Sequence, residues 1–231
     1  MRTITDLAQP DSVAETLAVL LPGAYNTPED FLREGFVTAV RERGLGVDIV
    51  LADMNLECIT NGTALSQLRE TVICPARHTG HKYNSHKYTG YKHIWLIGIS
   101  IGGFMASLYA DSYPGEINGV CLIAPYPGSR MITEQISASG GYLQWSADAI
   151  DADDHEARVW HWLKHHARQD IDIYLGYGSK DRFAAAHAEM SAVVPPEQVY
   201  VVPGGHDWPT WKKIWLQFLD QSAFAHYHNT D

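Results

Sequence analysis

The chain has 231 residues, a length that favours one domain over two independent cores. Hydrophobic residues make up 45% of the chain and charged residues 19%, a composition that excludes a disordered protein. Lys and Arg number 17 against 27 Asp and Glu, so the net charge of −10 disfavours binding to phosphate backbones. We therefore expect a single globular domain over 1–231 that does not bind nucleic acid.

The three cysteines are an odd number without metal-ligand spacing, so neither a disulfide framework nor a zinc site is predicted. Met1 to Pro10 contains Asp6 and no apolar signal core. The longest apolar runs fall short of the ~20 residues that cross a bilayer. These features predict a cytoplasmic protein without a membrane partner.

Short apolar runs rich in β-branched residues alternate with helix-like stretches along the chain. The predicted strands are Leu17 to Leu21, Val47 to Ala52, Ile94 to Gly98, Gly119 to Ala124, Ile171 to Leu175 and Gln198 to Val202. The predicted helices are Glu29 to Arg43, Ala64 to Ile73, Gly103 to Tyr113, Glu156 to Arg168, Phe183 to Val193 and Trp208 to Phe218. Strands that are apolar throughout and alternate with helices predict an α/β fold, in which helices flank a mostly parallel central sheet.

Two segments do not fit this alternation. Within Gly80 to His93 the tripeptide His-Lys-Tyr occurs twice, five residues apart, which predicts an exposed loop whose role the sequence leaves open. Tyr126 to Asp170 is the longest interval between predicted strands. We expect a small cap with room for a couple of helices there.

The most informative motif is Gly98-Ile99-Ser100-Ile101-Gly102, which follows a predicted strand and precedes a predicted helix. The pentapeptide alone is common and usually marks an ordinary turn. Its place between strand and helix is the one that a nucleophile elbow requires, with the serine on a strained turn above the sheet. Ser100 is therefore the candidate nucleophile.

A nucleophilic serine needs a base, and the base needs an acid that orients it. His206 follows two glycines after the last predicted strand, and Asp181 follows the strand before it. Taken singly, His206 reads as a surface or core histidine and Asp181 as a turn or cap residue. The chain order serine, aspartate, histidine is that of α/β-hydrolases, which favours the catalytic interpretation of all three.

Two backbone N–H groups are candidates for the oxyanion hole. Ile101 N–H lies at the predicted helix start, directly after the serine. The second donor is expected in the loop after the first predicted strand, with Ala24 preferred and Tyr25 as the alternative. The alternative reading of Pro22-Gly23 is a simple turn.

These segments together resemble the small bacterial α/β-hydrolases, over most of the chain. The resemblance rests on Ile94 to Ala110, Pro22-Gly23, Ala124 to Tyr126, Gly176 to Phe183 and Gly204 to Trp211. It implies a mostly parallel sheet of eight strands or somewhat fewer, and serine hydrolase chemistry on carboxylic esters or related acyl compounds. Two departures are Pro22, where many members have histidine, and the repeat, which looks inserted.

The residues beside these motifs are candidates to line a substrate pocket: Tyr25, Tyr126, Phe183 and Trp208. Trp208 has a competing interpretation, because Trp208, Trp211 and Trp215 recur at helical spacing and suit packing on the sheet. Four histidines cluster around one predicted helix: His155, His161, His165 and His166. His161 and His165 have the spacing of a metal pair, but there is no H-E-x-x-H motif and solvated helices readily carry such histidines, so no metal is predicted.

The sequence thus favours a serine hydrolase of small esters that needs no cofactor, since acyl transfer to serine uses only these groups and water. The alternatives are a thioesterase or acyltransferase on the same triad, and a non-catalytic binding protein on this scaffold. The physiological acyl group and the oligomeric state are left open.

Overall fold

A seven-stranded sheet forms the centre of the molecule in the computed structural model, which describes residues 1–9, 14–78, 90–147, 149–165, 171–221 and 224. The strands are β1 (Thr3–Asp6), β2 (Thr16–Leu21), β3 (Val47–Ala52), β4 (His93–Ile99), β5 (Gly119–Ile123), β6 (Asp172–Gly178) and β7 (Val199–Val202). Their order across the sheet is β1-β3-β2-β4-β5-β6-β7. Only β1, which pairs with β3, runs antiparallel among the described strands.

All six predicted strands are confirmed, with ends that differ by a few residues. Strand β1 was not predicted. β2, β3 and β5 are buried along their whole length because helices cover both faces of the sheet. β1 alternates between partly buried and exposed residues, as an edge strand does.

The helices are α1 (Pro28–Arg33), α2 (Phe36–Glu42), α3 (Leu56–Thr60), α4 (Ala64–Leu68), α5 (Cys74–His78), α6 (Ile101–Ser112), α7 (Arg130–Ala138), α8 (His155–His165), α9 (Ala184–Ser191) and α10 (Trp208–Gln221). A π-helical turn, Arg69–Ile73, joins α4 to α5, and Pro196–Gln198 forms a 3₁₀ turn. On one face, α6 and α8 pack on the sheet through residues such as Leu108 and Trp160. On the other face, α2 and α10 do so through residues such as Val40 and Trp215.

Two predicted helices differ in the structure. The continuous helix from Glu29 to Arg43 is wrong, because Gly35 adopts a φ of 79° and separates α1 from α2. The stretch from Ala64 to Ile73 leaves regular α-helix at Arg69, where the π-helical turn begins. The short helix α3 was not predicted.

The interval between β5 and β6 contains α7 and α8, so the expectation of helices there is confirmed. The assignment of 126–170 as a cap within one domain stays a prediction. Asp148 and residues 166–170 lie outside the described residues, as does the repeat at 81–88.

The cysteines are all free thiols. Cys121 lies in β5, opposite Ile97 of β4 and Tyr174 of β6, and its side chain is fully buried. Nowhere in the part of the chain that the structure describes is there a helix both long enough and apolar enough to cross a membrane.

Candidate active site

Ser100 occupies the sharp turn between β4 and α6. Its φ of 53° and ψ of −117° are unusual for a residue with a side chain, and such strain persists only where the surroundings enforce it. Gly98 and Gly102 allow this turn. An added Cβ at Gly98 would lie 2.3 Å from the Gly102 carbonyl oxygen, and one at Gly102 would lie 2.3 Å from the Leu21 carbonyl oxygen. The turn therefore requires both glycines.

The structure brings Ser100, His206 and Asp181 together. The Ser100 Oγ lies 2.9 Å from His206 Nε2, and His206 Nδ1 lies 2.7 Å from Asp181 Oδ2. Because an ionised carboxylate only accepts, His206 Nδ1–H donates to Asp181, which leaves Nε2 free to accept the Ser100 hydroxyl proton. The arrangement matches the geometry of a nucleophile, a general base and an orienting acid.

Parallel-strand topology explains this convergence. Ser100 follows β4, Asp181 follows β6 and His206 follows β7, and the carboxyl ends of parallel strands share one edge of the sheet. The approach to His206 depends on Gly204, whose φ is 150° and where an added Cβ would lie 2.0 Å from Thr210 Oγ1.

Asp181 is held in the ionised form by its hydrogen bonds. Its side chain is fully buried, while that of His206 is 13% exposed. Burial alone would raise the pKa of Asp181, but the hydrogen bond with His206 and the 2.9 Å bond from Phe183 N–H outweigh it, so the pKa is lowered. A buried carboxylate that stays charged is suited to orient an imidazole.

The neighbouring carboxylate, Asp207, has a different role. It is exposed, and its Oδ1 accepts 3.0 Å and 2.6 Å hydrogen bonds from the Thr210 N–H and Oγ1–H. Asp207 therefore caps the N-terminus of α10.

The loop that follows β2 lies beside the nucleophile. An added Cβ on Gly23 would lie 3.7 Å from the Ser100 Cβ, so this loop borders the serine. Neither Ala24 N–H nor Ile101 N–H donates to an acceptor among the described residues, and both remain candidate oxyanion donors. Tyr25 is 91% exposed, and its role as a pocket residue or oxyanion donor stays a prediction.

Two of the candidate pocket residues lie next to the serine and histidine. Tyr126 N–H donates to the Ser100 carbonyl oxygen at 2.9 Å. The Tyr126 ring packs 5.8 Å from the ring of Phe104 and 6.0 Å from that of Phe183. The Phe183 ring in turn contacts the His206 ring at 5.5 Å. Tyr126 and Phe183 therefore border the site.

Trp208 packs mainly away from the site. Its ring contacts Phe31 and Phe36 of the helices on the other face, each at 5.6 Å. The tryptophan that touches the His206 ring is Trp211, at 5.1 Å and nearly perpendicular. A pocket role for Trp208 stays a prediction, and its spacing with Trp211 was the signal that pointed to packing.

Sequence reasoning missed His187, which is fully buried on α9. Its Nε2–H donates to the Pro125 carbonyl oxygen at 2.8 Å, and its ring packs against Tyr177. Burial lowers the pKa of His187, so the ring is neutral near pH 7. A single histidine inside a helix gives no sequence signal for this contact.

The histidines on α8 do not form a metal site among the residues that the structure describes. The His161 and His165 rings lie 4.5 Å apart, yet no group of three or more metal-ligating side chains surrounds them there. His166 lies outside the described residues.

Comparisons with known proteins identify the fold. A family model for the α/β hydrolase fold matches residues 81–172, a range that contains Ser100 and ends before Asp181. The search of curated protein sequences found no match.

Among solved structures, Est1E from Butyrivibrio proteoclasticus is 18% identical, with a TM-score of 0.61 over 95% of this chain and 93% of that one. The S-formylglutathione hydrolase FrmB from Staphylococcus aureus is 11% identical, with a TM-score of 0.57 over 92% and 82% of the two chains. FphF, a fluorophosphonate-binding serine hydrolase of the same species, is 11% identical with a TM-score of 0.58, over 96% and 88%. The chain thus has the α/β-hydrolase fold. The predicted resemblance to small bacterial α/β-hydrolases is confirmed for the fold.

Proposed function

We propose that this protein is a serine hydrolase that cleaves small carboxylic esters through an acyl-enzyme intermediate. The observation that carries the proposal is the hydrogen-bonded series from Ser100 Oγ through His206 to Asp181. The strained φ of Ser100 supports it, because strain of this kind collects at functional residues.

In the acylation step, His206 Nε2 takes the Ser100 hydroxyl proton as Oγ attacks the carbonyl carbon of the ester. The Oγ–C bond forms while the carbonyl π electrons move onto oxygen. Ile101 N–H and Ala24 N–H are the proposed donors to that oxyanion. When the oxyanion collapses, the bond to the alcohol oxygen breaks, and His206 gives its proton to the departing alcohol.

In the deacylation step, His206 takes a proton from water as the water oxygen attacks the acyl carbon. The Ser100 Oγ leaves and recovers its proton from His206, which releases the carboxylic acid. The buried negative charge of Asp181 stabilises the imidazolium that forms twice in each cycle.

The same acyl-enzyme accepts other leaving groups, so thioesterase and acyltransferase activities are the nearest alternatives. The structural neighbours named above include an S-formylglutathione hydrolase, which supports testing thioesters beside esters. We propose short and medium acyl chains, because the described part of the interval between β5 and β6 contributes only the two helices α7 and α8.

The test combines covalent labelling with turnover. A fluorophosphonate should form an adduct with Ser100, and p-nitrophenyl acetate should be hydrolysed. Ser100→Ala should abolish the adduct and lower kcat by several orders of magnitude. Ser107→Ala is the matched control, because Ser107 lies buried on the same helix and its Oγ–H donates to the Gly103 carbonyl oxygen.

Each outcome decides between the candidate functions. An adduct on another serine, or turnover that survives in Ser100→Ala, would refute the assignment. A folded parent without an adduct and without turnover of any ester or thioester would favour a non-catalytic binding protein. Faster cleavage of a thioester than of the matched oxygen ester would favour a thioesterase.

A further inference from the structure

The segment that links β5 to α7, residues 124–129, is fixed by contacts with three different parts of the fold: the turn at Ser100, α8 and α9. We call it the β5–α7 loop. Its bonds are Pro125 O to His187 Nε2–H (2.8 Å), Tyr126 N–H to Ser100 O (2.9 Å), Pro127 O to Trp160 Nε1–H (2.8 Å), and Ser129 N–H and Oγ–H to Glu156 (2.8 and 2.6 Å). A loop with this many partners is held in one conformation.

Helix α8 supplies two of these contacts from one face. Glu156 and Trp160 are four residues apart, a spacing that places both side chains on the same side of a helix. Each carboxylate oxygen of Glu156 accepts one hydrogen bond from Ser129. The Trp160 side chain is almost fully buried. Helix α8 therefore holds the loop through two side chains on one face.

The packing around Gly128 shows how closely Glu156 approaches the loop. Gly128 has a φ of 95°, and an added Cβ would lie 2.7 Å from Ile132 Cγ2 and 3.1 Å from Glu156 Cδ. A side chain at position 128 would therefore collide with Ile132 and crowd Glu156.

Between these fixed points lies Tyr126, whose ring borders the site next to Phe183. Burial raises the pKa of the Tyr126 hydroxyl, and the nearby negative charge of Glu156 raises it further, so the hydroxyl stays protonated beside that carboxylate. The position of this ring thus depends on a residue of α8 that lies apart from the Ser100 and His206 side chains.

We propose that Glu156 is a positioning residue that sets the acyl-chain preference of the enzyme by fixing the β5–α7 loop and hence the Tyr126 wall of the acyl pocket. This inference rests on the proposed ester hydrolase function. Glu156 does not touch the reacting atoms. It acts through Ser129 and Tyr126.

Glu156→Gln tests the proposal with little change in size. A glutamine amide accepts through only one of its two terminal atoms, so the bond from Ser129 N–H can stay, but the hydroxyl must reverse its role and accept from the amide, and both bonds lose the carboxylate charge. Hydrogen bonds to a charged group are stronger than those between neutral groups, so weakening them should change the selectivity between two esters about fivefold or more. We expect the ratio of kcat/KM for p-nitrophenyl hexanoate to that for the acetate to change by this factor, mainly through KM.

Two further variants separate positioning from general damage. Ser129→Ala removes only the hydroxyl bond to Glu156 and should shift the same ratio in the same direction by less. In a Tyr126→Ala background, Glu156→Gln should cause no further shift, because the wall that it positions is gone. Glu134→Gln is the control, since Glu134 is an exposed carboxylate on α7 whose salt bridge is with Arg130 on the same helix.

The outcomes distinguish this inference from the function on which it rests. If the folded parent hydrolyses no ester and takes no fluorophosphonate label, the proposed function fails and the inference with it. If the parent is active but Glu156→Gln and Ser129→Ala leave the ratio unchanged, because kcat/KM for the two esters is unaffected or falls equally, only the positioning role is overturned. A shift that persists in the Tyr126→Ala background also overturns it.

Discussion

Gly102→Ala is expected to impair catalysis through the contact between α6 and the loop after β2. The added methyl group would lie 2.3 Å from the Leu21 carbonyl oxygen and 2.7 Å from that of Pro22. Real Cβ contacts are essentially never under 3.0 Å, so the gap to Leu21 must open from 2.3 Å by about 0.7 Å. Both neighbours are backbone atoms, so no flexible side chain can absorb this movement.

The displaced segment leads directly into Gly23, which borders the serine, and then into Ala24, the proposed oxyanion donor. A misplacement of about 1 Å near the reacting atoms costs roughly 100-fold in rate, and loss of one oxyanion donor costs about 100- to 1000-fold. We therefore expect kcat for p-nitrophenyl acetate to fall about 100-fold. The rate of fluorophosphonate labelling should fall with it, because that reaction also places an oxygen in the oxyanion hole.

Folding and catalysis can be separated with a control. Replacing glycine by alanine in a helix normally stabilises the helix by up to about 1 kcal/mol, so helix propensity would not explain a loss of stability or of kcat. Gly44→Ala is the control, because Gly44 has a φ of 63° with nothing near its added Cβ. It should cost about 1–2 kcal/mol of stability and leave kcat unchanged. Gly102→Ala with normal kcat and an unchanged near-ultraviolet circular dichroism spectrum would refute this reasoning.

The remaining predictions concern the two carboxylates near His206. Asp181→Asn should lower kcat about 10⁴-fold by spoiling the orientation of the imidazole, whereas Asp207→Asn should leave it within a few-fold; the reverse ranking in the same assay would mean that Asp207 orients the histidine. Asp207→Ala should cost about 1 kcal/mol at pH 7 through loss of the α10 cap, measured as a lower Tm. Because hydrogen bonds from Thr210 lower the pKa of Asp207, its stabilisation is present above the unfolded pKa of about 3.9 and lost as the pH falls further. The Tm difference between the parent and Asp207→Ala should therefore shrink below about pH 4, and a constant difference would contradict the assignment.

The meeting of Ser100, Asp181 and His206 was predictable because each follows a strand whose continuous apolar character indicated a buried parallel sheet. Once the strands are parallel, their carboxyl ends must share one edge of the sheet. The chain order serine, aspartate, histidine then indicates the role of each residue. Strand β1 was missed because Thr3–Asp6 is a short edge strand with polar residues on its exposed side. Its pairing with β3 depends on tertiary contact rather than on local pattern.

No pattern in the sequence indicated the contacts of the β5–α7 loop. Glu156 was predicted only as the first residue of a helix, since its partner Ser129 lies 27 residues away in the chain. The break at Gly35 was missed because a glycine inside a helical pattern is tolerated more often than not. Likewise, periodicity placed Trp208 and Trp211 on one helix without showing which of them faces His206.

The buried thiol of Cys121 makes global unfolding measurable without a denaturant. Burial raises the pKa of this thiol well above its ordinary value, so in the native protein it is both inaccessible and uncharged. It sits between β4 and β6, where reagent can reach it only when the middle of the sheet separates. In a Cys58→Ser, Cys74→Ser background, the rate at which iodoacetamide modifies Cys121 would report how often the whole sheet opens.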